Sequence, residues 1–356
     1  MKSTEDQIFF FEKNSRAKVL CFGELLLRIC PDTEGEWLQQ NSLPFYVGGA
    51  EANVAAALAL WKADISYCSV VPDNLMTQQL ITFLQQKNID TSPIVFTGEK
   101  LGLYFLPKGK DVKHAGVIYD RSGSSFSQVQ TNTIDWDKAL QNISWLHFTA
   151  ISPALSQNVA DVCLEAVQAA KSKNILVSVD LNYRPKLWQY GMHPADVMPQ
   201  LVEHCDVVMG NIWAAEKMLG IPVANTSVER LSKEELVACA QHTTNKLIEN
   251  YSNIKVVANT FRFDYLEKGI EYFATVSTKH RTVISNDYFT EAIVDKVGSG
   301  DCFMAGLIFG LTNNWSLQNI ADFATTAAFL KLFVEGDATN ETYEEIIKFK
   351  EAYEKK

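Results

Sequence analysis

The chain has 356 residues, of which 47% are hydrophobic, and its formal net charge is -10 at pH 7. A chain of this length can bury one large core or two modest ones. Its acidic balance, without any Lys/Arg-rich block, speaks against nucleic acid or an anionic membrane surface as a partner. The longest apolar stretches, Val54–Trp61 and Cys302–Leu311, are too short to span a bilayer.

The cysteines indicate a reducing compartment. All seven are scattered, their number is odd, and most of them lie inside apolar runs. Since neither a Cys-x-x-Cys pair nor a His/Cys ligand spacing occurs, we expect buried free thiols in a cytoplasmic protein, and no metal ligand can be named. Residues 1–17 lack the basic start of a signal peptide, so we interpret them as an N-terminal extension.

The first half of the chain predicts two pairs of core elements and then a different pattern. The core elements are a strand at Val19–Phe22, a helix from Gly48-Gly49 through Leu60, a strand at Ile65–Val71 and a helix at Thr77–Lys87. Between Glu99 and Phe126 the sequence alternates Gly, Tyr and Val, which predicts a small antiparallel sheet apart from the core. We expect residues 28–47 and 99–127 to form this β lid.

Alternation of strands and helices resumes at residue 144. The predicted elements are strands at 145–150, 175–179, 206–210 and 254–258, a helix from the cap Ser156 through Ala170, and a helix at 213–219. Such a rhythm implies an α/β fold with a doubly wound, mostly parallel sheet. Without an internal linker or repeat, residues 18–356 are expected to form one domain that carries the lid.

One turn near the C-terminus suggests chemistry. Gly298, Ser299, Gly300 and Asp301 directly precede the apolar run Cys302–Leu311, whose large residues recur at helical spacing. Small residues at a helix start leave backbone N–H groups uncovered at the positive end of the dipole, where an anion can bind. A carboxylate there repels an anion, unless it takes a proton from a hydroxyl that attacks a phosphoryl group. Taken alone, the turn favours a simpler interpretation, a helix start of small residues packed against a sheet.

Polar residues at predicted strand ends are further candidates, because ligands bind beyond the carboxyl ends of strands in open parallel sheets. They are Glu24, His147, Thr149, Asp180, Asn182, Arg184, Asn211 and Thr260. A P-loop is absent, and no Gly-x-Gly-x-x-Gly follows the first strand. This speaks against Walker-type NTPases and nicotinamide-dependent dehydrogenases.

Two motifs together resemble the signature regions of the ribokinase (PfkB) family of sugar kinases. They are Gly48-Gly49-Ala50-Glu51-Ala52-Asn53 and Asp295-Lys296-Val297-Gly298-Ser299-Gly300-Asp301, and the resemblance extends from about residue 18 to residue 350. It implies a Rossmann-like core of the ribokinase-like fold, use of ATP and Mg²⁺, and a β lid that often mediates homodimers. It also implies that Asp301 is the general base, with the N–H groups of Gly298, Ser299 and Gly300 as the anion hole.

Within that family, four stretches resemble the 2-keto-3-deoxygluconate kinases. They are residues 119–124, 145–155, 180–188 and 336–340. A sugar acid brings a carboxylate, which pairs with a planar guanidinium through two parallel hydrogen bonds. We expect Arg121 to supply that grip, with Tyr104 and Tyr119 beside it, although an ordinary salt bridge within the lid is the alternative. Arg184 fits either the substrate or the ATP phosphates.

The remaining site predictions follow from the resemblance. Gly48 and Gly49 allow close backbone approach to a ligand, and Asn53 can both donate and accept hydrogen bonds to sugar hydroxyls. Asp337 is assigned to the substrate as well. The residues assigned to the nucleotide, besides Gly298 and Gly300, are Asn182, Asn211, Thr260 and Asn340.

Two positions depart from the family pattern. Lys296 stands where Thr is usual, and Ala214 stands where the Asn-x-x-Glu motif that begins at Asn211 has its Glu. Lys296 fits either added charge near the phosphates or a solvent-exposed side chain. Magnesium usually keeps several waters and binds through substrate phosphates, so loss of one carboxylate need not abolish activity, and Glu216 lies nearby. Whether a monovalent cation assists near Asp295 is left open.

The sequence therefore predicts a kinase that phosphorylates the primary hydroxyl of a sugar acid, with 2-keto-3-deoxygluconate as the candidate substrate. One alternative is a kinase of a neutral sugar, fructose or ribose, on the same fold. Another is a non-catalytic sensor of a sugar acid or a nucleotide. It is motivated by Lys296 and Ala214 and opposed by the intact Asp301 turn.

Overall fold

The computed structural model describes residues 17–31, 37–39, 41–107, 116–224, 231–265 and 269–355. All but the last residue of the predicted N-terminal extension lies outside the described residues, as do parts of the predicted lid at 32–36, 40 and 108–115. Among the residues described, no helix is both long enough and apolar enough to cross a membrane.

The strands and helices alternate along the chain. The strands are β1 (Lys18–Phe22), β2 (Leu26–Ile29), β3 (Phe45–Gly48), β4 (Asp64–Cys68), β5 (Val70–Val71), β6 (Val95–Phe96), β7 (Gly102–Phe105), β8 (Ile118–Asp120), β9 (Trp145–Thr149), β10 (Leu176–Asp180), β11 (Val207–Gly210), β12 (Val256–Tyr265), β13 (Gly269–Ser277), β14 (Thr282–Ile284) and β15 (Tyr288–Thr290). The helices are α1 (Ala50–Leu60), α2 (Leu75–Gln86), α3 (Trp136–Ala139), α4 (Gln157–Ser172), α5 (Pro194–Val202), α6 (Ile212–Leu219), α7 (Lys233–Asn250), α8 (Ser299–Thr312), α9 (Leu317–Leu330) and α10 (Tyr343–Tyr353). Short 3-10 helices lie at Trp37–Gln39 and Lys331–Phe333.

A nine-stranded sheet forms the centre, in the order β14-β13-β12-β11-β10-β9-β1-β4, with β15 beside β13. From β4 to β12 all neighbours are parallel, whereas the pairs that involve β13 are antiparallel. Helices cover both faces: Val19 and Cys21 of β1 pack into a cluster with α1, α8 and α9, while Leu20 and Phe22 pack into one with α4 and α5. The predicted doubly wound, mostly parallel sheet is therefore confirmed.

One predicted strand is longer than expected. The sequence predicts a strand that ends at Ala258, but β12 continues to Tyr265 and pairs with β13 as an antiparallel hairpin. Beyond Ala258, polar residues alternate with Phe261 and Phe263, because one face of the hairpin packs in the core while the other borders an open cleft. An all-apolar pattern therefore predicts only the first part of this strand.

The lid is a separate four-stranded sheet in the order β3-β2-β7-β8. It is mixed rather than antiparallel, since β2 and β7 run parallel while the outer pairs are antiparallel. The reason is connectivity: β7 arrives after α2 and the short strands β5 and β6, so it enters the lid in the same direction as β2. The inner face carries Leu26, Tyr104 and Tyr119 toward the cleft.

Candidate active site

A cleft of about 680 Å³ lies between the lid and the carboxyl ends of the parallel strands. It brings together residues that are far apart in the sequence and that come from β10, β11, β12, the lid and the starts of α1 and α8. The predicted site residues that line it are Gly49, Asn53, Tyr104, Tyr119, Arg121, Asn182, Arg184, Asn211, Thr260, Gly298, Ser299, Gly300, Asp301 and Asp337.

The start of α8 forms one wall. Its cap, Gly298, has φ 79 and provides no side-chain hydrogen bond, so N–H groups of the first turn remain available to a ligand. A Cβ at Gly298 would lie 1.8 Å from the backbone oxygen of Asp337, whereas one at Gly300 would meet nothing within 4 Å. Glycine is therefore required at 298 by close packing, while at 300 it keeps the cleft open.

Asp301 lies beside these N–H groups and is 8% exposed. Its Oδ2 accepts a hydrogen bond of 2.7 Å from Nδ2 of Asn53. Burial raises the pKa of Asp301 to about 7, and the Asn53 hydrogen bond only partly opposes this; Asp180 raises the pKa further and Arg184 lowers it. A carboxylate with this pKa can take a proton from a hydroxyl near neutral pH.

Asn53 is held in place by the first turn of α1. The turn starts after Gly49, whose φ is 126 and whose added Cβ would lie 2.5 Å from the Glu24 carbonyl oxygen. Glu51 is buried and accepts hydrogen bonds from the N–H of Thr149 at 2.9 Å and its hydroxyl at 2.8 Å. This carboxylate ties α1 to the end of β9 and so fixes the direction of Asn53 toward Asp301.

Arg121 makes an ion pair, though with Glu24 at the end of β1 and not within the lid as the sequence alternative had it, and it also lines the cleft. Its Nε donates to Oε2 of buried Glu24 at 2.5 Å, and Ser124 Oγ donates to Oε1 of the same carboxylate at 2.5 Å. Glu24 fits there because Gly102 lacks a side chain; a Cβ would lie 2.3 Å from its Oε1. Within the described part of the chain, the contact found for the Arg121 guanidinium is through Nε and not through its terminal amino groups.

Tyr104 and Asp337 contact each other where the lid borders the cleft. The Tyr104 hydroxyl donates to Oδ2 of Asp337 at 2.5 Å, and Nη1 of Arg28 lies 3.2 Å from Oδ1. Tyr119 stands next to Tyr104, with ring centroids 6.3 Å apart. Asp337 is 2% exposed, lines the cleft and accepts the hydrogen bond that orients the Tyr104 hydroxyl.

The opposite end of the cleft is basic. Lys217, Arg262 and Lys296 line it together with Asn211 and Thr260. Nζ of Lys296 lies 2.8 Å from Oδ1 of Asp264, so this side chain borders the cleft rather than projecting freely into solvent. Cations and uncovered N–H groups suit a polyphosphate chain.

Asn211 and its motif have a structural part as well. The Asn211 side chain caps α6, accepting a 2.7 Å hydrogen bond from the N–H of Ala214. Ala214 lines the cleft, whereas Glu216 is not among the lining residues, and its Oε2 lies 3.5 Å from Nζ of neighbouring Lys217. Among the residues that the structure describes, Glu216 therefore does not replace the missing carboxylate.

The cleft residues determine which kind of magnesium binding is possible. Among the described residues there is no group of three or more His, Cys, Asp or Glu side chains that could hold an ion. Asp180 and Asp301 line the same cleft as the basic residues. This arrangement fits Mg²⁺ that arrives on a nucleotide and keeps most of its waters, and not a cage built from protein ligands alone.

Two of the residues assigned to the substrate or the nucleotide lie outside the cleft lining, as do the strand-end candidates Glu24, His147 and Thr149. Gly48 does not line the cleft; it packs against Asp337, where a Cβ would lie 2.9 Å from Oδ2. Asn340 is exposed on the segment that leads into α10. Neither is among the residues that line the cleft, so their assignment to a ligand stays a prediction.

Several cleft residues were not assigned a role from the sequence. Asp180 was visible as a polar strand end, and Glu51 lies inside the first motif, yet neither was chosen. Arg28 lies behind the cleft lining, where it pairs with Asp295 and Asp337, and its only sequence signal is a charge within the apolar strand β2. Lys217 and Arg262 carry no local signal, since a basic residue on a helix or strand is commonly a solvated surface residue.

All seven cysteines are buried and free, as the sequence predicts. Their burial raises the pKa of several of these thiols, including Cys68 and Cys205, because a thiolate is disfavoured away from water. They belong to the core and not to the chemistry of the cleft.

Comparison with known proteins agrees with this geometry. Residues 16–256 and 267–343 match the model of the pfkB family of carbohydrate kinases. The 2-dehydro-3-deoxygalactonokinase of Haloferax volcanii is 23% identical over 340 residues, which cover 93% of this chain and 95% of that protein. The 5-dehydro-2-deoxygluconokinase of Geobacillus thermodenitrificans is 26% identical over 290 residues, which cover 80% of this chain and 77% of that protein.

A solved structure has the same fold throughout. The 2-dehydro-3-deoxygluconokinase of Thermotoga maritima superposes with a TM-score of 0.84 at 32% identity, covering 94% of this chain and 99% of that one. The family match extends over most of the sequence and includes both motifs that form the cleft. This chain belongs to the pfkB family of carbohydrate kinases.

Proposed function

We propose that this kinase transfers the γ-phosphoryl group of ATP to the primary hydroxyl of a dehydro-deoxy sugar acid, with 2-keto-3-deoxygluconate as the first candidate. The carrying observation is the juxtaposition of Asp301, the uncovered N–H groups of α8, and two arginines, Arg121 and Arg184, in one cleft. The activities after which the three relatives above are named, two similar in sequence and one in structure, support the same substrate class.

Asp301 is the proposed base. Its pKa of about 7 means that the carboxylate form is populated near neutral pH and can still bind the proton of the attacking hydroxyl. Asn53 holds the carboxylate by its 2.7 Å hydrogen bond, leaving the other oxygen for the substrate. The N–H groups that follow Gly298 would receive the charge of the transferred group, which is where positioned donors help phosphoryl transfer.

The basic end of the cleft is proposed to hold the nucleotide. Lys217, Arg262 and Lys296 would bind its phosphates, and Asn211, Asn182 and Thr260 border the same space. When bound, Mg²⁺ bridges the phosphates and neutralises part of their charge. Positive side chains near Ala214 can offset the absence of the usual glutamate, since they act on the same phosphate charge.

Recognition of the acid group is assigned to Arg121. Because Glu24 occupies its Nε, the two terminal amino groups form the edge that can bind a carboxylate through parallel hydrogen bonds. Glu24 thus orients the guanidinium rather than competing for that edge. Arg184, whose Nη1 donates to the Tyr183 carbonyl at 3.2 Å, supplies a second positive charge nearby.

A neutral sugar is the second candidate. The observation that favours it is the same ion pair, because Glu24 cancels the charge of Arg121 and lowers the attraction for an anion. Tyr104, Asn53 and Asp301 would serve the hydroxyls of either substrate. The two candidates therefore differ at Arg121 and not at the reacting centre.

The deciding experiment measures ADP release with Mg-ATP and a panel of acceptors. The panel contains 2-keto-3-deoxygluconate, its galacto isomer, 5-keto-2-deoxygluconate, fructose, ribose and a control without sugar. We expect turnover with at least one sugar acid and none with the neutral sugars. Turnover with fructose or ribose alone would contradict the acid specificity while leaving the kinase assignment intact.

Arg121→Lys sharpens this test. Lysine can keep the ion pair with Glu24 but loses the two-pronged edge, so kcat/KM for the acid should fall about tenfold or more, mainly through KM. Arg281→Lys, an exposed arginine outside the cleft, is the matched control and should leave kcat/KM unchanged. If folded Arg121→Lys used the acid as well as the wild type does, the carboxylate would bind elsewhere.

A further inference from the structure

Lys331 is a lysine with no exposed surface. It opens the 3-10 helix that follows α9, and its Nζ donates a 3.0 Å hydrogen bond to the carbonyl of Val334. A lysine is rarely buried unless something compensates its charge, since removing an ammonium group from water is costly. Its surroundings therefore indicate what the charge does.

The lysine lies directly behind the turn that begins α8. A Cβ at Gly298 would lie 3.4 Å from Cε of Lys331 and 1.8 Å from the backbone oxygen of Asp337. The next residue, Leu332, accepts hydrogen bonds through its carbonyl from the N–H groups of Val294 at 2.8 Å and Asp295 at 3.2 Å. Segment 331–337 thus packs against the turn whose N–H groups face the cleft.

Two buried carboxylates compensate the charge. Both Asp295 and Asp337 attract the ammonium electrostatically, which raises the pKa of Lys331 and opposes the larger effect of burial, which lowers it. Arg28 bonds both oxygens of Asp295 and lies 3.2 Å from Asp337. By formal charge, the two protein cations Arg28 and Lys331 balance the two carboxylates beneath the anion hole.

An added monovalent cation does not fit this arrangement. Both carboxylate oxygens of Asp295 are taken by Arg28, and the Val334 carbonyl is taken by the ammonium of Lys331. The Leu332 carbonyl is occupied by two backbone N–H groups. A further ion would bring a third positive charge to groups whose formal charges already balance and whose oxygens are already bonded.

We propose that the ammonium group of Lys331 is a built-in cation that braces segment 331–337 from within, through the Val334 carbonyl, behind the anion-hole turn, and makes turnover independent of monovalent cations. Without this charge, Asp295 and Asp337 would share Arg28 alone, leaving a net negative charge beneath the place that receives the phosphoryl group. Lys331 is a positioning residue, since it does not line the cleft. The catalytic part of the inference rests on the proposed kinase function.

The first measurement uses the wild type. Turnover is followed at constant ionic strength in chlorides of sodium, potassium, ammonium and tetramethylammonium, the last being too large for a protein-bound site. We expect kcat/KM to vary less than about twofold, because a tethered ammonium needs no replacement. Stimulation of several-fold by potassium or ammonium over tetramethylammonium would overturn the proposal.

The second measurement uses Lys331→Met, which keeps the length of the side chain and removes its charge. We expect kcat to fall about tenfold or more, and potassium or ammonium to restore part of it. Lys279→Met, which changes an exposed lysine in the turn before β14, should behave as the wild type in every salt. A folded Lys331→Met with wild-type turnover, or with a loss that neither ion repairs, would contradict the built-in cation.

Thermal unfolding separates this inference from the kinase assignment. Potassium should raise the Tm of Lys331→Met relative to tetramethylammonium and leave that of the wild type unchanged, because only the variant has a vacant cation place. This readout holds even if none of the tested acceptors is phosphorylated. Equal responses of both proteins to potassium would overturn the proposal.

Discussion

Asp301 shows how a single residue can be tuned by its surroundings. Burial raises its pKa, while the amide of Asn53 and the charge of Arg184 moderate the rise. The same aspartate in water would be a weaker base, since its pKa would lie near 3.8. The local sequence identifies the residue, but its basicity depends on the groups that the fold places around it.

The proposed role of Asp301 predicts a pH dependence. The base must be unprotonated to act, so kcat/KM should rise with pH through about 7 and level off above it. A pH profile of kcat/KM between 5 and 9 checks this. A profile that is flat across neutral pH would contradict the assignment of Asp301 as the titrating base.

Asp301→Asn is the control for that profile. It should lose about 10²–10⁴-fold in kcat and with it the rise near pH 7. Because the folded pKa lies above the ordinary value, the folded wild type holds its proton more tightly and loses stability as pH rises from about 4 to 7. The asparagine variant avoids this cost, so its Tm should exceed the wild-type value at pH 8, with the difference vanishing below pH 4.

At the scale of one element, α8 combines two glycines with different purposes. Gly298 has a positive φ and packs against the Asp337 backbone, while Gly300 faces open space in the cleft. In the sequence motif the two glycines are equivalent. Only the atoms packed around each one show why glycine is present there. The same helix then continues as a buried apolar element that packs on α1 and α9, which fixes the turn in space.

These glycines should respond differently to substitution by alanine. Gly298→Ala should lose roughly 2–4 kcal/mol of unfolding free energy, because its Cβ would overlap the Asp337 oxygen at an unfavourable φ. Gly300→Ala should keep the wild-type Tm yet lower kcat/KM, since its methyl group enters the ligand space. Thermal unfolding and turnover, measured on both variants, check this; equal Tm losses would contradict the distinction.

The helix α1 is a second example at this scale. Its alanines and leucines predict a helix, and it forms where expected, from Ala50 to Leu60. What the pattern leaves open is the anchoring of its first turn by Glu51 to Thr149, which directs Asn53 toward Asp301. Helical periodicity predicts the helix, whereas the direction of Asn53 depends on a contact between distant segments of the chain.

Across the whole molecule, the lid and the sheet enclose the cleft from two sides. Glu24 follows β1 of the central sheet and binds Arg121, which follows β8 of the lid. Arg28 of the lid likewise bonds Asp295, which precedes α8. These two buried ion pairs join the lid to the central part of the molecule. The core therefore positions the lid.

The expectation of a homodimer through the lid stays a prediction. On the outer face of the lid, Phe45, Ile29, Phe105 and Ile118 form one cross-strand row, in which Phe45 is 54% and Ile118 50% exposed. An exposed apolar row on a sheet is a typical contact surface. We expect a particle of twice the chain mass in solution, measured by light scattering.

Ile118→Lys tests the dimer, because a charge in the centre of an apolar contact opposes association. It should halve the measured mass. Leu75→Lys, which changes an exposed leucine of α2 outside the lid, is the control and should leave the mass unchanged. A wild-type chain that is monomeric at all concentrations would contradict the prediction.

The sequence by itself determined the alternation of strands and helices, the separate lid and the turn at Asp301, because periodicity and short motifs are local properties of the chain. Only the tertiary structure decided the partners of the charged groups. Glu24 and Arg121 are 97 residues apart, and Arg28 and Asp295 are 267 apart. Such pairs depend on how elements pack, so the ion pair of Arg121 and the buried charge of Lys331 become visible only when the chain is folded.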